Sequence, residues 1–152
     1  MKAARLFLYS ASVLLLLTAV AKFVSSFGHG KILLERDPLT DLQFRDLFRI
    51  VGGIETAIVL VCIFSKRIWL PVGLVAWLAT SFVVYRLGLL WVGYQKPCSC
   101  LGNLTDALHI PPQTADGAMK IILDYLLVGS YAVLFWLWRQ RKKSTPSPAS
   151  AQ

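Results

Sequence analysis

The chain has 152 residues, of which 56% are apolar and only 16% charged, with a formal net charge of +8 and a mean hydropathy of +0.59. A soluble domain of this length cannot hide so much apolar surface in one core, whereas four spans of roughly 20 residues would place about half of the chain in lipid. An ordinary soluble domain is therefore excluded, and the remainder has no room for an internal repeat or a catalytic-size soluble module.

The first span is predicted at 6–27. Lys2 and Arg5 precede a nearly unbroken Leu/Val/Ala stretch through Val20. Such a stretch equally fits the apolar region of a secretory signal, and Ala19-Val20-Ala21 resembles a cleavage site, which would leave three spans. Apolar residues resume after Lys22 and bring the segment to full membrane length, so a retained helix is expected.

An outer loop is expected at 28–46, mixed and charged, with Asp37-Pro38 as a turn signal. Thr40 followed by Gln43 reads as a capping box, which would start the second helix outside the hydrocarbon, ahead of a span at 47–64. Only Ser65-Lys66-Arg67 leads to the third span at 68–94, a tight helical hairpin. A second outer loop, 95–118, precedes the fourth span at 119–138, which has acid early at Asp116 and base late at Arg139, as the helix dipole favours. Within that loop, 101–114 is expected to cap the bundle, with a short helix at Asn103-Leu104-Thr105-Asp106-Ala107-Leu108 stopped by Pro111-Pro112. Residues 144–152, rich in Ser, Pro and Ala, read as a disordered cytoplasmic tail after a membrane domain at 1–143.

Basic residues orient the chain. With the N-terminus cytoplasmic, Lys2, Arg5, Lys66, Arg67, Arg139, Arg141, Lys142 and Lys143 crowd against helix ends on one side. Lys31, Arg36, Arg45, Arg49, Lys96 and Lys120 are diluted over two long loops on the other. That density predicts an all-α integral membrane protein, an antiparallel bundle of four transmembrane helices with both termini cytoplasmic. The positive charge is then explained by topology and the anionic lipid bilayer, not by nucleic acid.

Four charged residues fall inside the predicted spans: Lys22, Glu55, Arg86 and Asp124. At roughly 1.5 Å per residue, alternating helices place all four on the order of 7 to 12 Å below the outer surface. Two cations and two anions at one depth can neutralise one another as an intramembrane charge network, where a lone charge would cost at least about 2.5 to 3.5 kcal/mol. Lys22 and Arg86 can instead snorkel, and Asp124 can pair with Lys120, but Glu55 has no such escape, so a Lys22–Glu55 pair is expected. Gly52, Glu55, Val59 and Cys62 share one stripe of the second helix, the mark of a packing face.

Redox or metal chemistry would centre on Pro97-Cys98-Ser99-Cys100-Leu101-Gly102, just past the third span on the outer side. Thiols persist there as disulfides, and a small strained ring exchanges readily. Three readings stay open for the pair: a redox-active dithiol, a structural disulfide, and half of a metal site with His109 as the nearby imidazole. A helix starting near Asn103 would lower a thiol pKa at Cys100. Cys62, near the cytoplasmic end of its helix, is expected to be an inert packing residue.

Lys22 late in a first apolar helix, Glu55 after Gly52-Gly53 in the second, and Cys98-Ser99-Cys100-Leu101-Gly102 after the third resemble the DoxX-like membrane proteins. Within these the pattern is most similar to the redox-associated branch of the methylamine-utilisation protein MauE, although that branch often has an aromatic residue where this chain has Leu101. The resemblance implies a four-helix bundle in a bacterial cytoplasmic membrane with Cys98 and Cys100 facing the periplasm. There they would pass electrons or disulfides to a thioredoxin-like or client protein during maturation of an enzyme. It also admits a non-catalytic anchor or assembly subunit of an oxidoreductase complex, which brings in quinone as the one cofactor considered. The charged quartet separately admits a small-solute or proton path.

Overall fold

The computed structural model describes residues 2–27, 31–34, 36–93 and 112–143. These form α1 (Lys2–Ser26), a 3-10 turn (Lys31–Leu34), α2 (Phe44–Phe64), α3 (Trp69–Trp91) and α4 (Pro112–Lys143). All four α-helices are long and apolar enough to cross a membrane, over Ala3–Ser26, Phe44–Phe64, Trp69–Trp91 and Asp116–Lys142. Even α2, with 21 residues, measures about 31 Å, the thickness of a bilayer's hydrocarbon core.

The distribution of side chains in α1 is inverted relative to a soluble helix. Ala4, Ala11, Ser12, Thr18, Ala19, Ser25 and Ser26 are buried, while Leu6, Val13, Leu17, Val20 and Val24 point outward. Small residues let helix backbones approach, and large aliphatic ones suit lipid, so α1 makes its most extensive contacts with α2. The buried stripe of α2 is Phe44, Phe48, Gly52, Glu55, Ile58, Val59 and Cys62, in which Phe44 and Phe48 pack with Leu33 of the 3-10 turn. α3 packs chiefly on α4. Phe7, Leu8, Leu15, Ile58, Val75 and Leu126 belong to one cluster in which all four helices meet.

Hydroxyls within the spans bond to their own helices. Ser12 donates to Leu8 O at 2.7 Å, Thr56 to Gly52 O at 2.8 Å and Thr80 to Ala76 O at 2.8 Å. Such back-bonding satisfies a polar group where lipid offers no partner. Tyr131 and Thr80 hydroxyls also meet across α3 and α4 at 3.1 Å, and Ser10 meets Tyr125 across α1 and α4 at 2.7 Å.

Helix limits differ from those read off hydropathy. α1 begins at Lys2, α2 at Phe44, and α4 runs from Pro112 to Lys143, beyond 119–138 at both ends, while α3 stops at Trp91. Pro112 opens α4 because the first helical residue needs no N–H partner. Hydropathy reports where lipid begins, whereas a helix continues into water as long as its backbone bonds are met. The α2–α3 hairpin turns at Ser65, whose N–H closes on Val61 O at 2.9 Å.

The capping-box expectation is corrected. Gln43 is the N-cap of α2 and makes no side-chain cap. The Thr40 hydroxyl instead donates to Asp37 Oδ2 at 2.6 Å, with the Thr40 N–H on the same oxygen at 3.1 Å. Asp37 N–H and Leu42 O close the turn at 2.8 Å. Asp41 takes a positive φ of 54° within this turn, so the chain is not helical before Phe44 and Thr40 stands ahead of the N-cap position at Gln43.

Candidate functional site in the helix bundle

Late in α1, Lys22 reaches across to the middle of α2, where its Nζ donates to Glu55 Oε1 at 2.7 Å. Both are buried, Lys22 at 4% exposure and Glu55 at 1%. Thr18, one turn back on α1, donates to Glu55 Oε2 at 3.4 Å, so both carboxylate oxygens are engaged. Close approach of the helices makes this reach possible: a Cβ on Gly52 would sit 3.3 Å from the Phe23 ring, so glycine there admits the aromatic edge. Lys22 also lies 5.5 Å from the centroid of Phe82 on α3, which offers its π face to the ammonium.

Beside this pair the seam between α2 and α3 opens into a cleft of about 220 Å³. Phe44, Phe48 and Ile54 line it from α2, Trp77 and Phe82 from α3, and Lys22 from α1. Above its α3 wall, the Tyr85 hydroxyl donates to Asp37 Oδ1 at 2.9 Å and ties the 36–43 turn to the bundle. Asp37 is 1% exposed. No sequence signal beyond the Asp-Pro turn pointed to it, since its partners Thr40 and Tyr85 come from a turn and a distant helix.

The other two charges of the expected quartet go elsewhere. Arg86 pairs with Asp116 near the start of α4, and Lys120 holds the second oxygen of Asp116 at 2.8 Å. Asp124 is exposed on α4 and joins no ion pair among the described residues. The reason is the early start of α4: it carries Asp116 into the helix at the level of Arg86, while Asp124 falls roughly two turns further along on another face.

Cys62 is buried on α2 at 9% exposure, within the central cluster. Cys98, Cys100 and His109, together with 101–111 of the cap expected at 101–114, the end of the third span at 94 and the tail at 144–152, lie outside the described residues, while 112–114 belong to α4. Among the described residues no group of three His, Cys, Asp or Glu side chains is placed to hold a metal ion. Comparison with known protein families, with curated proteins and with solved structures finds no match.

Proposed function

We propose that the chain is a bacterial inner-membrane thiol-disulfide redox protein. In this reading Cys98 and Cys100 pass electrons or disulfides to a periplasmic thioredoxin-like or client protein during maturation of an enzyme. The single observation carrying it is the Cys98-Ser99-Cys100 pair, which follows α3 at the end of that helix away from the basic Ser65-Lys66-Arg67 turn. An antiparallel bundle with both termini cytoplasmic is part of the same reading. Supporting it, Arg141 near the end of α4 stacks 5.4 Å from Trp69 at the start of α3, while Arg86 late in α3 meets Asp116 early in α4. Likewise Lys22 and Phe23 late in α1 meet Glu55 and Gly52 on α2. Alternation brings Arg67, Arg139 and Arg141 to one side, as the positive-inside rule requires.

Thiol trapping tests the chemistry. With Cys100→Ser, Cys98 should accumulate in a mixed disulfide with its partner. A redox titration followed by alkylation should give a midpoint in the range of about −120 to −270 mV typical of thiol-exchange proteins, above the roughly −300 mV of stable structural disulfides. A pair that stays oxidised under strong reductant reduces Cys98 and Cys100 to a structural clip.

Asp124 favours a second reading, a membrane anchor or assembly subunit of an oxidoreductase complex. Asp124, Val128, Tyr131, Phe135 and Trp138 repeat at alternating spacings of four and three residues, the seam of a helix–helix contact, and all are exposed. A carboxylate on such a seam suits a partner helix carrying Lys or Arg. Loss of co-purifying partner in Asp124→Asn, with thiol exchange intact, would support this reading.

A further inference from the structure

α1 and α4 touch at few points. Phe7 seats against Gly129 and Tyr125, and the Ser10 and Tyr125 hydroxyls meet at 2.7 Å. Beside these contacts the two helices leave an open groove of about 660 Å³, walled by Leu6, Val13 and Leu14 of α1 and by Ile121 and Ile122 of α4, with Tyr9, Ser10 and Tyr125 completing its lining. A serine hydroxyl has one proton to give, and that of Ser10 goes to Phe7 O at 2.9 Å. Tyr125 is therefore the donor to Ser10, and neither hydroxyl keeps a proton for a ligand.

Charge defines the mouth of this groove. Arg5, one turn before Tyr9 on the same side of α1, is exposed and joins no ion pair among the described residues. Helical side chains lean toward the start of their helix, so Arg5 and Tyr9 both reach toward the N-terminal end of the span. In the antiparallel arrangement proposed above, the helix ends at 2–5, 65–67 and 139–143 share that side. They hold eight of the 16 Lys and Arg residues and none of the 8 Asp and Glu, and so carry the whole formal charge of +8. A soluble anion would meet Arg5 and leave the aliphatic walls unused, and a ring carbonyl would find no donor between them. A phospholipid answers both features: a flexible chain suits Leu, Val and Ile, and a guanidinium grips a phosphate through two N–H groups.

We propose that the α1–α4 groove seats one anionic phospholipid, with an acyl chain between Leu6, Val13 and Ile121 and the phosphate held by Arg5 and the Tyr9 hydroxyl. Bound there, the lipid supplies packing that the sparse α1–α4 contact lacks. It occupies a fixed seat, distinct from the general attraction of a basic protein end to an anionic bilayer. The seat does not depend on Cys98 or Cys100: their double Ser variant should keep it, so failure of the thiol reading and of this one show separately.

The test uses the full chain in phosphatidylcholine nanodiscs doped with phosphatidylglycerol that carries a diazirine on one acyl chain. Photolysis should label peptides within 6–14 and 121–125, and unlabelled phosphatidylglycerol should compete while phosphatidylcholine and oleate should not. Arg5→Gln should reduce the preference for phosphatidylglycerol about fivefold or more, the worth of one cation at a membrane surface. Arg139→Gln removes the same charge from another helix end and should leave the preference unchanged. Val13 and Ile121 are exposed, so Val13→Trp, or Ile121→Trp if the first does not fold, can fill the groove without a collision. Either should abolish labelling and also the rise in unfolding temperature that phosphatidylglycerol gives the parent chain. Labelling spread evenly over all four helices, equal competition by phosphatidylcholine or oleate, or an Arg139→Gln effect as large as that of Arg5→Gln would each overturn the assignment.

Discussion

Glu55 and Lys22 illustrate how far single residues can be read. A carboxylate in the middle of an apolar helix has to find a cation, and the matching depth of Lys22 on the preceding helix named it from sequence; the structure places the two at 2.7 Å. Replacing Glu55 by Gln should leave Lys22 as a buried cation without a counter-ion and cost on the order of 3 to 5 kcal/mol, whereas Lys22→Met with Glu55→Leu should cost much less. Reversible unfolding in mixed micelles measures both; a double variant worse than Glu55→Gln would show that the pair serves more than structure. Asp37 was not legible in the same way. Its carboxylate takes Thr40 and Tyr85 hydroxyls, and nothing local announces a partner 48 residues away. Asp37→Ala should lose both bonds, free the 36–43 turn from α3 and cost about 1 to 3 kcal/mol, read as faster proteolysis between Arg36 and Arg45.

At the scale of helices, hydropathy located all four spans, since a lipid solvent demands continuous apolar stretches of a set length. It could not locate their ends, which depend on backbone bonding outside lipid. The consequence was largest for α4, where an early start at Pro112 brings Asp116 to Arg86 and Lys120 and leaves Asp124 outside the expected network. Packing between helices was only partly legible: the Gly52 stripe on α2 was visible as small and polar residues in register, but the α1–α4 contact was not. That contact rests on Gly129, where an added Cβ would collide with the Phe7 ring, itself set against Tyr125 with centroids 5.8 Å apart. Gly129→Leu should therefore force α4 from α1 and destabilise the bundle by about 1 to 3 kcal/mol, as overpacking does. Phe7→Ala should recover part of the loss in a double-mutant cycle; additive effects would show that the two residues do not share the contact.

For the whole molecule the open quantity is orientation, which no contact between helices can set, because inverting the bundle leaves every internal distance unchanged. Only the bilayer and the electrostatics of insertion distinguish the two sides, and they act through Lys and Arg beside the helix ends. Arg139, Arg141 and Lys142 extend past the apolar part of α4 and lie over aromatic rings, Lys142 at 4.1 Å from Trp138 and Arg139 at 5.3 Å from Phe135. Pairing of this kind seats cations at a membrane–water interface. Cys62 is a poor reporter of sidedness, since at 9% exposure it would resist a thiol reagent from either face. Ser65 in the α2–α3 turn is better placed. In a chain whose three cysteines are replaced by Ser, Ser65→Cys should be labelled by a membrane-impermeant maleimide only after the cells are permeabilised. In the chain that keeps only Cys98 and Cys100, the same reagent should label intact cells once the pair is reduced. Labelling of Ser65→Cys in intact cells would invert the topology, place Cys98 and Cys100 in the reducing cytoplasm, and remove the compartment on which periplasmic disulfide exchange depends.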